Sequence, residues 1–551
     1  MTVYPSAKEF IHIQTDSGQI NKFIDSAVFY QGTDTLYCDS LYQNITNNTI
    51  EAFSNVRVVQ AGGTQATSNY LKYVSAQKMA YMRGNVSLTD GKNILICDNM
   101  SYNLGTKFGV YDNSGTLKAD STTVTSYRGE YNVKSKEARF TGHVTVTDPH
   151  YYTESEDMGY NTESKLTRFF AKSVVKGDSG KTQIKTSGGS YDSHAGLAYF
   201  YTHSTIWYDG QYIEGDTLYF NRASGYGYAY GNVIAWDTAH QSTLYCGKAV
   251  YNQKKRVLLA TVKPVMMQIK NTDTFFMRAD TFYSAPEIKI KKDSSFKMAV
   301  ALKQQMEAAM KVVAKADTHL VAKDAITPAN TDKKKKKEKK KNNGISAPNL
   351  VLSDTTLADT TAPIYFTGYH HVRIYSDSMQ AVCDSISYSQ SDSMVRLMYS
   401  PVAWARNSQI TGDTILMQLD SNRIRSIYVP NNTFIVSLAG PEKAQLYDQV
   451  QGKILKGSFK NNAIENMVVY PDAEAIYYSK DDNNAFIGVV QAKSDKIHIV
   501  FGDQKIKKIR LQTDTHQVLT PLEKADLPNT KLSRFKWQQD RRPKNKEELF
   551  D

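Results

Sequence analysis

The sequence predicts an all-β fold of stacked repeats, interrupted by a helical, Lys-rich insertion, and three observations carry that prediction. Versions of Cys97-Asp98-Asn99-Met100-Ser101-Tyr102-Asn103 recur at a nearly fixed interval. With Tyr102 as position zero, the equivalent residues are Gln43, Tyr73, Tyr102, Tyr131, Tyr160, Tyr191, Phe220, Tyr251 and Ser284, separated by 30, 29, 29, 29, 31, 29, 31 and 33 residues. Seven of the nine are aromatic, and a period in this range marks a repeat architecture. Position minus two is apolar in most copies, as in Leu41, Leu71, Met100, Met158, Leu218, Ala249 and Phe282. That alternation is the mark of a strand with one face buried. The third observation is compositional: 36 Tyr in a chain that is 41% hydrophobic suits pleated, half-buried surfaces.

Taken in order, residues 1–33 alternate apolar and polar positions and read as an opening hairpin. From Thr35 each unit has a first strand ending near position zero, such as Ile94, Ile96, Asp98, Met100 and Tyr102 on one face. A second strand is marked by a Gly-Asn-Val-like step, in Asn55-Val56, Gly84-Asn85-Val86, Gly142-His143-Val144 and Gly231-Asn232-Val233, with the Val 13 residues after position zero. Polar segments such as Asn44 to Thr49 and Asn161 to Lys165 supply the turns. A unit of two short strands cannot bury its apolar face alone, whereas stacked units bury it together. From Ser294 the pattern turns helical, through Phe296 to Val313, and a Lys-rich low-complexity linker follows. The repeat resumes at Cys383-Asp384-Ser385-Ile386-Ser387-Tyr388 and recurs from Asp413 and from Asp495. The expected divisions are therefore repeats over 1–284, the insertion over 285–360, repeats over 361–527 and a polar tail over 528–551, anchored by Phe535 and Trp537.

Charge and motif content narrow the function classes. Net charge is +12, but Lys333 to Lys341 holds eight Lys and one Glu and supplies most of it. A nucleic-acid surface needs basic residues spread over a folded face, so no nucleic-acid partner is expected. The run reads as a solvated insertion; contact with anionic membrane headgroups is its second reading. No apolar run of about 18 residues exists to cross a bilayer as a helix. Residues 1–5 lack the pattern of an export signal, which leaves the compartment unassigned at this point.

No enzymatic chemistry is expected. The Asp residues at minus four (Asp39, Asp98, Asp384, Asp413, Asp495) fall one per repeat rather than converging on a cleft. His370-His371 lacks a third ligand at suitable spacing, and Asp481-Asp482-Asn483-Asn484 lacks the register of a calcium loop, so neither a metal nor a cofactor is expected. Cys38, Cys97, Cys246 and Cys383 each lie five residues before a position zero. Cys38 and Cys97, two repeats apart, would stand roughly 10 Å from each other at about 4.8 Å per rung, beyond disulfide reach. They read as small fillers of one repeat slot.

These motifs resemble a known family. Leu36-Tyr37-Cys38-Asp39-Ser40-Leu41, Arg83-Gly84-Asn85-Val86-Ser87-Leu88-Thr89-Asp90, Gly215-Asp216-Thr217-Leu218-Tyr219 and Ala229-Tyr230-Gly231-Asn232-Val233 are similar to the OstA-like proteins. These are relatives of the LptA-type lipopolysaccharide-transport proteins, and the resemblance is to the long form found in the Bacteroidota. Gln409-Ile410-Thr411-Gly412-Asp413-Thr414 and Arg541-Arg542-Pro543-Lys544 extend it behind the insertion. The resemblance implies a stacked antiparallel β-jellyroll whose two sheets open as a V-shaped trough. It further implies a periplasmic or outer-membrane-associated carrier that moves lipopolysaccharide, by its lipid A acyl chains, toward the outer membrane.

On that reading the trough is lined by Leu41, Val56, Val58, Leu71, Val86, Leu88, Met100, Val144, Val146, Met158, Leu218 and Val233, which share the apolar phase of their strands. Other jellyroll-type transport proteins would join it by strand augmentation at the open sheet ends. The alternative is a structural or adhesive β-repeat scaffold in which the same residues form a closed core.

Overall fold

The computed structural model describes residues 6–287 and 362–551, apart from 16–17, 178–179, 193, 209, 239–240, 271–272, 421–422, 461–462, 482, 484 and 503–504. The described residues form antiparallel strands joined by tight turns, with no α-helix among them and only short 3-10 turns, most of them after Pro521. The expected helical, Lys-rich segment lies outside the described residues, except that Ala285 and Pro286 belong to the strand Thr281–Pro286. That strand pairs directly with Ile364–Tyr375, Pro286 standing opposite Ile364, so the repeats on either side of the insertion are immediate neighbours. Contacts divide the chain into two units, Met1–Ala223 with Ala229–Ala239, and Ser224–Tyr228 with His240–Asp551.

In the first unit Asp34–Asn44, Thr49–Val59, Gln65–Val74, Met79–Thr89, Asn93–Asn103 and Phe108–Ala119 form a meander, each strand antiparallel to the next. Alternation makes them strands: Leu95, Cys97, Met100 and Tyr102 are buried while Ile94, Ile96 and Asp98 face outward. This corrects the expected face of Asn93–Asn103, which placed Ile94 and Ile96 with Tyr102. The alternation changes phase at Asp98, where the register against Phe108–Ala119 breaks between Cys97 and Asn99.

The Gly-Asn-Val step is a corner within a strand rather than the start of one. Gly84 and Asn85 have φ of +74° and +50°, Gly142 and His143 +75° and +48°, and Ser54 and Asn55 +60° and +52°. Pairing slips at each pair, between Arg83 and Val86, Thr141 and Val144, and Phe53 and Val56. Two successive left-handed residues form a bulge that bends the strand, which is why Gly and Asn occupy the step. The halves on either side of the corners become separate ladders further along. Leu166–Phe169, Gly189–Asp192, Leu197–Phe200 and Thr217–Asn221 form one; Ser173–Gly177, Thr182–Thr186, Ser204–Tyr208 and Gln211–Gly215 form the other.

Asn caps set one row of hairpin turns. The side-chain oxygens of Asn103, Asn132 and Asn161 each accept backbone N–H groups two and three residues on. Each turn closes on a left-handed lysine, Lys107, Lys136 or Lys165. One buried apolar cluster runs from Phe23 to Tyr160 between the two ladders. Each fully buried Leu or Val in it contributes about 1.5–3 kcal/mol.

In the second unit the C-terminal tail reaches much further than the last rungs. Phe535 and Trp537 stack on Tyr447, with ring centroids 5.2 and 5.4 Å away, as the tail passes that strand. Buried glutamines then hold its backbone. Gln449 donates to the Thr530 carbonyl (3.1 Å) and accepts from the Leu532 N–H (2.8 Å), and Gln409 donates to Lys536 and accepts from Gln538, both at 2.8 Å. Arg542 donates to Gln380 at 2.8 Å, and Leu549 is fully buried against Val265 and Phe276.

Candidate functional site

The twelve expected lining residues all belong to the first unit and face its interior. Eleven are buried, from Val86 at 0% exposure to Val146 at 4%, and Val58 is half-buried. Ten belong to or pack against the apolar cluster that runs from Phe23 to Tyr160, while Leu218 and Val233 are buried outside it. Val58, Leu71 and Leu88 line open space. They border an apolar cavity of about 60 Å³, together with Phe29, Leu36, Ile50, Met82, Tyr102 and the polar groups Asp34, Gln60 and Thr64. The cavity draws on both ladders, on Leu36, Val58 and Leu88 from one side of the corners and Ile50, Leu71, Met82 and Tyr102 from the other.

Side chains from the two rows of hairpin turns bridge the mouth of this interior. Lys165 Nζ reaches Asp120 Oδ2 at 2.6 Å, Lys136 Nζ reaches Asp90 Oδ2 at 2.6 Å, and Lys107 Nζ donates to Gln60 Oε1 at 2.8 Å. The lysines follow at 29-residue intervals and their acceptors at 30, so each bridge is one rung of a ladder. The position-zero tyrosines stand five residues before the lysines and belong to the same rungs. Tyr131 donates to Asp90 Oδ2 at 3.1 Å, and Tyr160 hydrogen-bonds Lys165. Tyr102 is 4% exposed, and its hydroxyl is buried with no protein partner.

Electrostatics distinguishes these rungs. Burial alone would raise the Asp90 carboxyl, but Lys136 and the N–H groups of Asn93 and Lys92 outweigh it and hold the group well below the usual carboxylate range. Hydrogen bonding to Asp90 in turn raises Lys136. Burial, with the nearby charge of Asp34 adding, pushes Tyr102 up to about 12, so it is a neutral hydrogen-bond donor at neutral pH.

The repeated Asp residues stay dispersed at the outer corners. Asp39 accepts from Asn55 at 2.9 Å and Asp413 from Asn432 at 3.0 Å; Asp216, one more of the set, accepts from Asn232 at 2.9 Å. Each ties a corner to its neighbour. His370 and His371 pair separately, with Asp384 at 3.1 Å and Asp280 at 2.8 Å. Asp481 accepts the N–H groups of Asn483 and Ala485, a turn contact. Among the described residues no three His, Cys, Asp or Glu side chains converge as metal ligands. The four cysteines are buried free thiols. Burial pushes Cys38 up to about 11 and the other three up to about 12, which removes thiolate character.

Sequence reasoning passed over the lysines, Gln60 and Asp120. The available signal was the recurrence of Lys five residues after position zero in four successive units, at Lys78, Lys107, Lys136 and Lys165.

No curated protein sequence matches this chain. Among solved structures, LptH from Pseudomonas aeruginosa, titled as the LptA-homologous periplasmic component of the conserved lipopolysaccharide transport device, aligns over 26% of this chain and 95% of that chain, at 12% identity and a TM-score of 0.20. Residues 6–156 match the family model described as OstA-like protein. That segment, which holds the cavity and the rungs at Gln60 and Asp90, is similar to the OstA-like family.

Proposed function

We propose that this protein is a periplasmic lipid carrier that holds the acyl chains of lipopolysaccharide between the two ladders of its first unit, which part as the sheets of a trough, and passes them toward the outer membrane. The observation that carries this reading is an apolar cavity whose mouth is bridged by side chains. At about 60 Å³ the space admits a few groups of water size, at about 10–15 Å³ each, so a longer chain must spread the ladders. Each methylene buried contributes about 0.8 kcal/mol, while an exposed ion pair is worth about 0–1 kcal/mol and the more buried Lys136–Asp90 pair about 2 kcal/mol. Several methylenes therefore offset the parting of a rung. Such burial has no preferred direction, so direction must come from neighbouring proteins.

Sheet ends suit that role. Among the described residues, Glu9–Thr15 pairs as a strand with Gly18–Gln31 alone, and Phe10 is exposed. His516–Pro521 pairs with Phe486–Ser494, with Val518 and Leu519 exposed. Both are edges that a strand of a similar transport protein could extend. The Lys-rich run, outside the described residues, would add contact with an anionic membrane surface.

Lipid analysis of the protein purified from its native envelope tests the reading. Copurified lipid A-type acyl chains are expected, with a lower melting temperature after delipidation. A lipid-free extract and an unchanged melting temperature would instead identify a closed scaffold.

A further inference from the structure

Three rungs with one plan differ in a single acceptor. In two of them lysine meets a carboxylate, Asp90 or Asp120; in the third Lys107 meets the neutral amide of Gln60. Gln60 is 7% exposed and spends its own N–H on Asp34 Oδ2 at 3.1 Å, while the Ala61 N–H donates to Asp34 Oδ1 at 3.4 Å. The nearest carboxylate is thus one amide removed from the Lys107 ammonium and already bonded elsewhere. The tyrosine of this rung departs from the plan as well. Tyr131 has Asp90 to donate to, whereas the Tyr102 hydroxyl has no protein acceptor. Tyr102 and Gln60 both stand in the wall of the cavity. A buried donor without an acceptor, on the same rung as a lysine held by a neutral amide, is an arrangement that an incoming anion satisfies on both counts.

We propose that the Gln60–Tyr102–Lys107 rung binds the anionic headgroup, phosphate or carboxylate, of an amphiphile whose hydrocarbon chain fills the adjoining cavity. The proposal rests on the lipid-binding reading above and deepens it by naming the headgroup and the place where it lodges. The headgroup oxygen accepts from Tyr102 and Lys107, while the first carbons of the chain meet Leu36, Met82 and Leu88. The rungs at Asp90 and Asp120 stay closed to anions because their carboxylates already hold the lysines.

Calorimetric titration of the full chain with three amphiphiles of one chain length, all below their micellar concentrations, tests this. Dodecyl phosphate and dodecanoate carry the anion, and dodecyl maltoside is the neutral control. Two charge-assisted hydrogen bonds should favour the anions by about tenfold or more. Tyr102→Phe and Lys107→Gln should each remove most of that preference, read as the ratio of anion to maltoside affinity. Gln60→Asp, which installs the acceptor of the neighbouring rungs, should remove it too. Tyr131→Phe, at a rung already satisfied, should leave it intact. Because the Tyr102 hydroxyl has no protein partner, Tyr102→Phe should melt like the parent, which separates loss of binding from loss of fold. Equal affinity for all three amphiphiles, or an anion preference that survives both Tyr102→Phe and Lys107→Gln, overturns the headgroup site while sparing the carrier. No binding of any of the three overturns both.

Discussion

Lys136 and Asp90, 46 residues apart in sequence, meet at 2.6 Å across the mouth of the first unit, and the Asp90 side chain is only 5% exposed. Removing the lysine strands a buried carboxylate. Lys136→Met should therefore cost about 2 kcal/mol, read as a lower urea midpoint. Acid should act on the same group. The Asp90 carboxyl lies below its unfolded value when folded, so its contribution is complete above about pH 4 and is lost as pH falls below that. Melting temperatures of Asp90→Asn and parent should converge on acidification; parallel curves would show that the pair does not hold the mouth.

Asp448 has the opposite sign. Burial pushes it up to about 6 despite the Tyr478 N–H that it accepts at 2.9 Å. An acid raised in the folded state is best tolerated below its unfolded value, and stability declines as pH rises from about 4 toward 6. Asp448→Asn keeps an acceptor for Tyr478 without the charge. It should stabilise the protein by about 2 kcal/mol at pH 7 and hardly at all at pH 4, as measured by urea unfolding at the two values.

Corners should be sensitive to a single methyl group. At Gly84, with φ of +74°, an added Cβ would lie 2.9 Å from Asn69 Nδ2 and 3.2 Å from its Cβ. Gly84→Ala combines left-handed strain with that contact and should cost about 1–3 kcal/mol. A melting temperature within error of the parent would mean that the bend does not depend on this residue.

The tail is held through glutamine amides. Gln409 is 0% exposed, bonds the Lys536 carbonyl and the Gln538 N–H, and accepts from Trp404 Nε1 at 3.3 Å. Gln409→Leu removes all three bonds and should loosen the tail by about 1–3 kcal/mol. Limited trypsin digestion should then cut faster at Arg541 and Lys544, and unchanged cleavage would place the hold elsewhere.

Strand content was legible because alternation is written along each segment, as in Leu95, Cys97, Met100 and Tyr102. The corners were misread. Alternation restarts after Gly84-Asn85, and a one-dimensional pattern does not separate a bend inside a strand from the start of another. The same blindness hid the phase change at Asp98. Among the lining residues, orientation was legible but open space was not. Val86 and Val144 share a phase with Leu88, and only packing decides that Leu88 borders a cavity while they meet neighbours. The rungs were illegible for a topological reason: Lys136 is assigned to Asp90 by the meander that brings two rows of turns together. Position-zero tyrosines served as register marks, and their second use, as hydroxyl donors at the mouth, needed the acceptors to be seen.

The strap formed by residues 530–549 has a kinetic consequence. Being covalently joined to the sheet that it covers, it competes for that surface at an effective concentration on the order of millimolar. A free molecule present at micromolar levels is outnumbered there by the chain's own terminus. The second unit is thus guarded by a tethered competitor and the first by a handful of separable bridges, so on the proposed carrier reading loading belongs to the first.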